Sequence, residues 1–413
     1  MVPKTEGNVS VNGSEAVPAR KSYNRVDLGN IGFSALIDLD HNATTVIAPE
    51  VLVAMEAAAR DCPGNPGSRH AAGRKARRAL EDAREVVASI LGAAPAEVVF
   101  ASGGTEANNT ALFGFSEGRQ GAIALPDGEH PSIEMAVRRL ESRGWQRSTI
   151  PIDSQGLISG ELVRELPWDS VQIATCLLAH NETGVIQSVR GLAELCAERR
   201  IPLHLDAVQA AGKIEVNFRA LGATSLSVGA HKFHGPRGIG ALLIRSGTRL
   251  APLLVGGHQE REHRAGTEPV VLAVGMARAL QLWSEERDRW SREIAQLRDR
   301  LEHQLLESCA PVVVHGQRAE RLPNTLNIGF PGCDGEALLV ALDLAGICCS
   351  MGSACASGSS EPAPVLLAMG CTKELARASL RFSLGRDNTL DEVDEAARRI
   401  AATVRRMRDR RAS

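Results

Sequence analysis

Near its C-terminus the chain reads GICCSMGSACASGSSEPAPVL, Gly346 to Leu366, and Cys355 stands there in a setting that suggests chemistry. Its neighbours are Gly, Ser and Ala, too small and polar to pack around a side chain, and Pro362 and Pro364 close the run. That composition predicts an accessible loop carrying a thiol, a nucleophile if something activates it and a surface accident if nothing does. Cys348 and Cys349 follow the apolar LDLAGI and are expected as strand residues behaving as small apolar side chains.

Three further stretches carry reactive groups. In EVVFASGGTEANN a strand-like run ends in Ser-Gly-Gly-Thr and a helix begins, so backbone N–H groups and a hydroxyl meet at a helix N-terminus, a setting for phosphate. A plain helix capped by Thr105 is the alternative. In IPLHLDAVQAAGK an apolar strand ends in Asp206, where ligands bind in open α/β sheets, although the carboxylate could equally cap the following helix. In SLSVGAHKFHGPRGIGALLI a small-residue strand leads to Lys232 and then a Gly/Pro turn, flanks unlike a solvated face. An anion site, a strand-end acid and a loop amine are together what pyridoxal 5'-phosphate requires. They anchor its phosphate, keep its pyridine nitrogen protonated and bond to its aldehyde.

The elements that must position these groups alternate along the chain. Strand-like EVVFAS, GAIALP, VQIATCLLA, IPLHLD, TSLSVGA and GIGALLI are interleaved with amphipathic GRKARRALEDAREVVASIL, TEANNTALFGF, SIEMAVRRLESRG and VRGLAELCAERR. This alternation predicts an α/β layer with a mostly parallel sheet. A charged helix is expected over Ala279 to about Ser308. Short strands (PVVVHG, NTLNIGF, ASLRFSL) mixed with helices then predict a second, smaller α+β domain. Residues 1–34 are polar and aperiodic, read as a flexible extension. The expected organisation is 35–48 as a segment joining the small domain, 49–284 as the large domain and 285–413 as the small one.

Lys+Arg 47 against Asp+Glu 49 gives a net charge of -2, which argues against nucleic acid or an anionic membrane as the main partner. Nine scattered cysteines without paired CxxC spacing, and no apolar N-terminal signal segment, point to reduced thiols in the cytoplasm. No run approaches the roughly 20 apolar residues that span a bilayer.

The order and wording of nine motifs resemble the fold-type I, class V aminotransferase family, and within it the NifS/IscS-type cysteine desulfurases. They are DHNATT, GNPGSRH, EHPSI, HNETGVIQ, HLDAVQAAGK, AHKFHGPRGIGAL, HRAGTEPV, GSACASGSSEPAPVLLAMG and SLRFSLGR, covering nearly everything beyond the extension. The resemblance implies a seven-stranded, mostly parallel sheet in the large domain. It makes Lys232 the covalent cofactor lysine, Asp206 the partner of the pyridine nitrogen and His130 the imidazole on the ring face. Asn181 and Gln209 would approach the phenolic oxygen, while Thr105, His231 and the Gly104 backbone would hold the phosphate, with Thr267 reaching over from the second subunit of a homodimer. Arg381 would clamp the substrate carboxylate, with Asn42, Ala43 and Asn181 lining the substrate pocket.

The activity so implied is conversion of L-cysteine to alanine, with sulfur captured by Cys355 as a persulfide and passed to an acceptor protein for iron-sulfur cluster assembly or tRNA thiolation. The long cysteine loop resembles the first desulfurase group; the second, which includes selenocysteine lyases, has a shorter segment. Cys348 or Cys349 could relay sulfur or bind metal in that setting. Two positions depart from the family pattern: Gly229 stands where many relatives have a phosphate-binding serine, and His180 precedes Asn181-Glu182 where Asn-Asn-Glu is frequent. Alternatives are another reaction on the same cofactor, or a catalytically degenerate sulfur carrier or scaffold.

Overall fold

The computed structural model of the protein describes residues 36–351 and 362–412. The extension and Cys355 lie outside the described residues.

Among the described residues twelve strands occur in chain order: β1 Ile37–Asp38, β2 Val98–Ala101, β3 Ala122–Pro126, β4 Gln146–Ile150, β5 Val171–Leu177, β6 Leu203–Asp206, β7 Ser225–Gly229, β8 Gly240–Ile244, β9 Val313–Val314, β10 Thr325–Gly329, β11 Ile347–Cys348 and β12 Ser379–Ser383. Seven of them form one sheet in the order β2-β8-β7-β6-β5-β3-β4. Its pairings are parallel except those of β8, which runs antiparallel to both β2 and β7. The mostly parallel seven-stranded sheet expected from the sequence is thus present.

Side chains alternate between faces along these strands. Val98 and Phe100 of β2 enter one apolar core together with Ala124, Cys176, Leu205 and Leu226, whereas Val99 and Ala101 enter a second with Ile123, Leu125 and Ile173. Both faces are therefore covered, as parallel strands require. The first four helices are α1 Pro49–Asp61, α2 Ala71–Ile90, α3 Gly104–Ser116 and α4 Pro131–Glu141. In α2 the buried Ala76, Leu80, Ala83 and Val87 recur at steps of three and four, a single helical stripe.

A third core gathers Ile37, Leu39, Leu326, Ile328, Leu380 and Phe382 around the antiparallel sheet β12-β10-β9 and the pair β1–β11. Helix Val270–Ser308 starts nine residues before the sequence pattern suggested. It is continuous, placing Ala273, Met276 and Leu280 in the first core and Leu301 and Leu305 in the third. The segment after β1 crosses between sheets: His41 N donates to Ser383 O, Thr45 N to His231 O and Ala48 N to His234 O. No helix among the described residues is long and apolar enough to cross a membrane.

Candidate active site

Strands β2, β3, β5, β6 and β7 point the same way, and each C-terminal end delivers expected residues to one edge of the sheet. They are Gly104 and Thr105 after β2, His130 after β3, Asn181 after β5, Asp206 and Gln209 from β6, and His231 and Lys232 after β7. This is the edge at which ligands bind in such sheets.

Lys232 Nζ donates to the carbonyls of Asn42 (2.7 Å) and Ala43 (2.8 Å), both on the crossing segment. Burial first, then the positive charge of Arg381, lower its pKa to about 8. The same Asn42 carbonyl accepts from Gln209 Nε2 at 3.0 Å, and Asn42 Nδ2 donates to Asn181 O at 3.1 Å. His231 contacts Thr44 Oγ1 at 3.2 Å; burial, then the Lys232 charge, hold its pKa to about 4, so near pH 7 it offers an anion an N–H rather than a charge.

Asp206 is 2% exposed, and its Oδ1 accepts from Val208 N at 2.9 Å and its Oδ2 from Asn108 Nδ2 at 2.7 Å. His130 caps α4 through Nδ1, which accepts from Ser132 N at 3.1 Å; burial lowers its pKa. The capping and functional readings of His130 are compatible, because one ring nitrogen serves each.

The N-terminus of α3 differs from the capped-helix alternative. Its cap is Gly103, with no side-chain hydrogen bond, and Thr105 lies exposed in the first turn. A Cβ on Gly104 would fall 2.5 Å from Val208 Cγ2, so glycine there permits close packing of the helix start against β6's exit.

Arg381, on β12, comes from the other side and is 5% exposed. Its NH1 donates to Asn181 O (3.1 Å) and Glu182 Oε1 (3.1 Å), and its NH2 to Asp40 Oδ1 (2.8 Å). The buried Nε–H has no partner among the described residues. A guanidinium carries five N–H donors, so Nε–H and one N–H of NH2 are left, the pairing that grips a carboxylate side-on.

The expected cofactor fits these groups: a depressed amine pKa, a buried carboxyl with acceptor capacity to spare, an uncapped helix start between glycines, and an orphaned Arg N–H where the substrate's acid group would lie. Asn42, Ala43, His130, Asn181, Asp206, Gln209, His231, Lys232 and Arg381 are brought together. Thr267 stands elsewhere, exposed beside the loop Cys62–Pro66. Cys348 closes β11, with its pKa raised by burial to about 11; Cys349 follows it, pushed up further by burial.

Sequence reasoning missed four participants. Asp40 and Glu182 hold Arg381, and both lay inside quoted motifs without a role. Lys213, whose pKa burial lowers well below the usual lysine value, donates to Asn42 Oδ1 (2.7 Å) and Gln209 Oε1 (2.5 Å). Asn108 supports Asp206. Asp40, the acid that opens DHNATT, and the polar pair in TEANN were visible signals, but their partners are far apart in sequence.

The aminotransferase class-V family model matches residues 37–396. A cysteine desulfurase of Nostoc sp. is 39% identical over 91% of this chain and 94% of its own length. Cysteine desulfurase IscS of Dictyoglomus turgidum is 40% identical over 86% of this chain and 91% of its own. Among solved structures, a NifS-like protein superposes with a TM-score of 0.83 at 33% identity, covering 89% of this chain and 98% of that one. The chain belongs to the pyridoxal phosphate-dependent class-V aminotransferase family, in the company of its NifS/IscS-type cysteine desulfurases.

Proposed function

We propose that the protein is a cysteine desulfurase: it converts L-cysteine to L-alanine and carries the sulfur as a persulfide on Cys355, for transfer to an acceptor protein of iron-sulfur cluster assembly or tRNA thiolation. The observation that carries this reading is the buried Arg381 with two N–H groups to spare in the electrostatic range of Lys232, an arrangement suited to an α-amino acid. The protein acts as a cytoplasmic homodimer in this reading.

Arg381 binds and orients the substrate carboxylate. When bound, pyridoxal phosphate supplies an electron-accepting ring that weakens the Cα–H bond. Lys232, as a neutral amine, removes the Cα proton, a role for which a pKa near 8 is matched. Asp206, through its buried carboxyl, would hold a proton at the pyridine nitrogen, and His130 would serve as the imidazole beside the ring. Cys355 attacks the substrate sulfur: an S–S bond forms, the C–S bond breaks with its electron pair staying on carbon, that carbon is protonated, and the Lys232 ammonium returns a proton to Cα to give alanine.

Incubation with L-cysteine and a thiol reductant should release sulfide and alanine in equal amounts without a keto acid. Cys355→Ser should keep the visible absorbance of the bound cofactor yet release almost no sulfide, since a hydroxyl is a far poorer nucleophile. Dependence on a keto acid would make it an aminotransferase, strong preference for selenocysteine a lyase, and absence of visible absorbance a degenerate carrier. Substantial turnover by Cys355→Ser would move the nucleophile elsewhere.

A further inference from the structure

Behind Asp206 and His130 lies a chain of polar side chains for which the proposed function has no role. Asn108 of α3 is 1% exposed and is bonded through both ends of its amide. Nδ2 donates to Asp206 Oδ2 at 2.7 Å and to Ser132 Oγ at 2.8 Å. Oδ1 accepts from Ser227 Oγ and lies 2.9 Å from His204 Nε2. His204 is wholly buried, and its Nδ1 lies 2.9 Å from Ser225 Oγ.

The proton positions follow from these contacts. The carboxyl oxygen of Asp206 is an acceptor, so the amide nitrogen of Asn108 faces it and Oδ1 faces His204. His204 Nε2 must then donate, and because burial holds this imidazole to about 3 it is neutral, with a bare Nδ1 that accepts from the Ser225 hydroxyl. Ser132 Oγ accepts from Asn108 and is left to donate its own proton to His130 Nδ1, 2.8 Å away. Ser132 N donates to the same nitrogen. Two donors on Nδ1 leave neutral His130 with its proton on Nε2.

We propose that Asn108, with His204 and Ser132, is a positioning frame that fixes two expected cofactor contacts at once, the rotation of the Asp206 carboxyl and the Nε2–H tautomer of His130. This rests on the function proposed above. His130 then meets the site as a proton donor and cannot take a proton at Nε2 until it has given one. Asn108 is the hinge, because its single amide donates to both branches, so turning it breaks the bonds to Asp206 and to Ser132 together.

The test uses the cofactor-loaded protein labelled with nitrogen-15 in histidine, with His130 assigned by the signal lost in His130→Gln. The expected spectrum shows His130 and His204 neutral and protonated at Nε2; a His130 protonated at Nδ1 would overturn the frame. Asn108→Ala should speed cofactor dissociation and lower kcat by about 10- to 100-fold, with KM for cysteine changed by less than about threefold, the scale at which supporting hydrogen-bond partners act. Ser132→Ala should lower kcat and Ser132→Thr, which keeps the hydroxyl, should restore it. If Asn108→Ala does not fold, the wild-type spectrum and the Ser132 pair decide. Variants all within about twofold of wild type in kcat and cofactor dissociation would sink the inference. Wild type releasing no sulfide would instead sink the proposed function, and the tautomer reading would stand or fall separately.

Discussion

Lys232 shows what burial does to one residue. An ordinary lysine amine is protonated until pH approaches about 10.4 and so is a poor nucleophile near neutrality. Burial and the Arg381 guanidinium bring Lys232 to about 8, and its two hydrogen bonds go to neutral carbonyls that cannot reverse the shift. A depressed lysine pKa means that protons leave this amine at lower pH than in the unfolded chain. Its reactive form therefore grows as pH rises toward 8 and is largely present above it. The rate at which cofactor-free protein captures pyridoxal phosphate, followed by absorbance, should rise with pH and level off above about pH 8 to 9; a rise continuing to pH 10 would mean an unperturbed amine. Lys232 was legible because its flanks, GAH and FHG, do not read as a solvated face. Lys213 was not: QAAGK looks like a helix end with a surface lysine, and its buried amine bonds to Asn42, 171 residues away.

At the scale of elements, six of the seven strands of the large sheet were readable as apolar runs. The seventh, β4, QRSTI, was not, because it is the edge strand next to β3 alone and two of its five side chains face solvent. Its presence was carried by family resemblance rather than by pattern. The turn after β7 bears on the phosphate site. Gly229 has φ -133 and ψ 120, ordinary extended backbone, so glycine is not required by conformation. An added Cβ would lie 3.5 Å from Val208 Cγ1, 3.6 Å from Gly104 N and 3.7 Å from His231 Cδ2, all normal contacts. Gly229→Ser should therefore fold normally and set a hydroxyl beside the uncapped start of α3. One net hydrogen bond of about 0.5 to 1.5 kcal/mol would tighten cofactor binding by about 2- to 10-fold in an equilibrium titration. Unchanged or weaker affinity would show that the phosphate does not sit between this strand end and the helix.

For the whole molecule, the residue left over is Thr267. Every other described residue expected at the phosphate lies on the sheet edge, whereas Thr267 is exposed beside Cys62–Pro66. The surface near it is apolar: Leu253 is 38%, Leu254 42% and Val255 82% exposed, and Leu254 O accepts from Ala265 N, so this run lies against the loop that bears Thr267. The loop is held in an uncommon shape, with Glu260, Arg261 and Glu262 all at positive φ, by the bidentate bond of buried Glu260 to Arg84 at 2.7 and 2.9 Å. A loop held by buried bonds and flanked by exposed apolar residues suits a subunit interface better than a solvated surface. If the homodimer proposed above forms through this surface, Val255→Asp would place an unpaired carboxylate in it, a penalty of about 3 kcal/mol or on the order of 100-fold in dimer dissociation. Sedimentation should then show monomer appearing at micromolar protein, and, if Thr267 serves the neighbouring phosphate as the family resemblance implies, cofactor should be lost on dialysis in proportion. Val340→Asp, on the exposed face of helix Gly335–Leu344, should change neither, so a general effect of surface charge is controlled. A Val255→Asp protein that stays dimeric would clear this surface of the interface; one that becomes monomeric yet holds its cofactor as tightly as wild type would show that Thr267 serves no neighbouring phosphate.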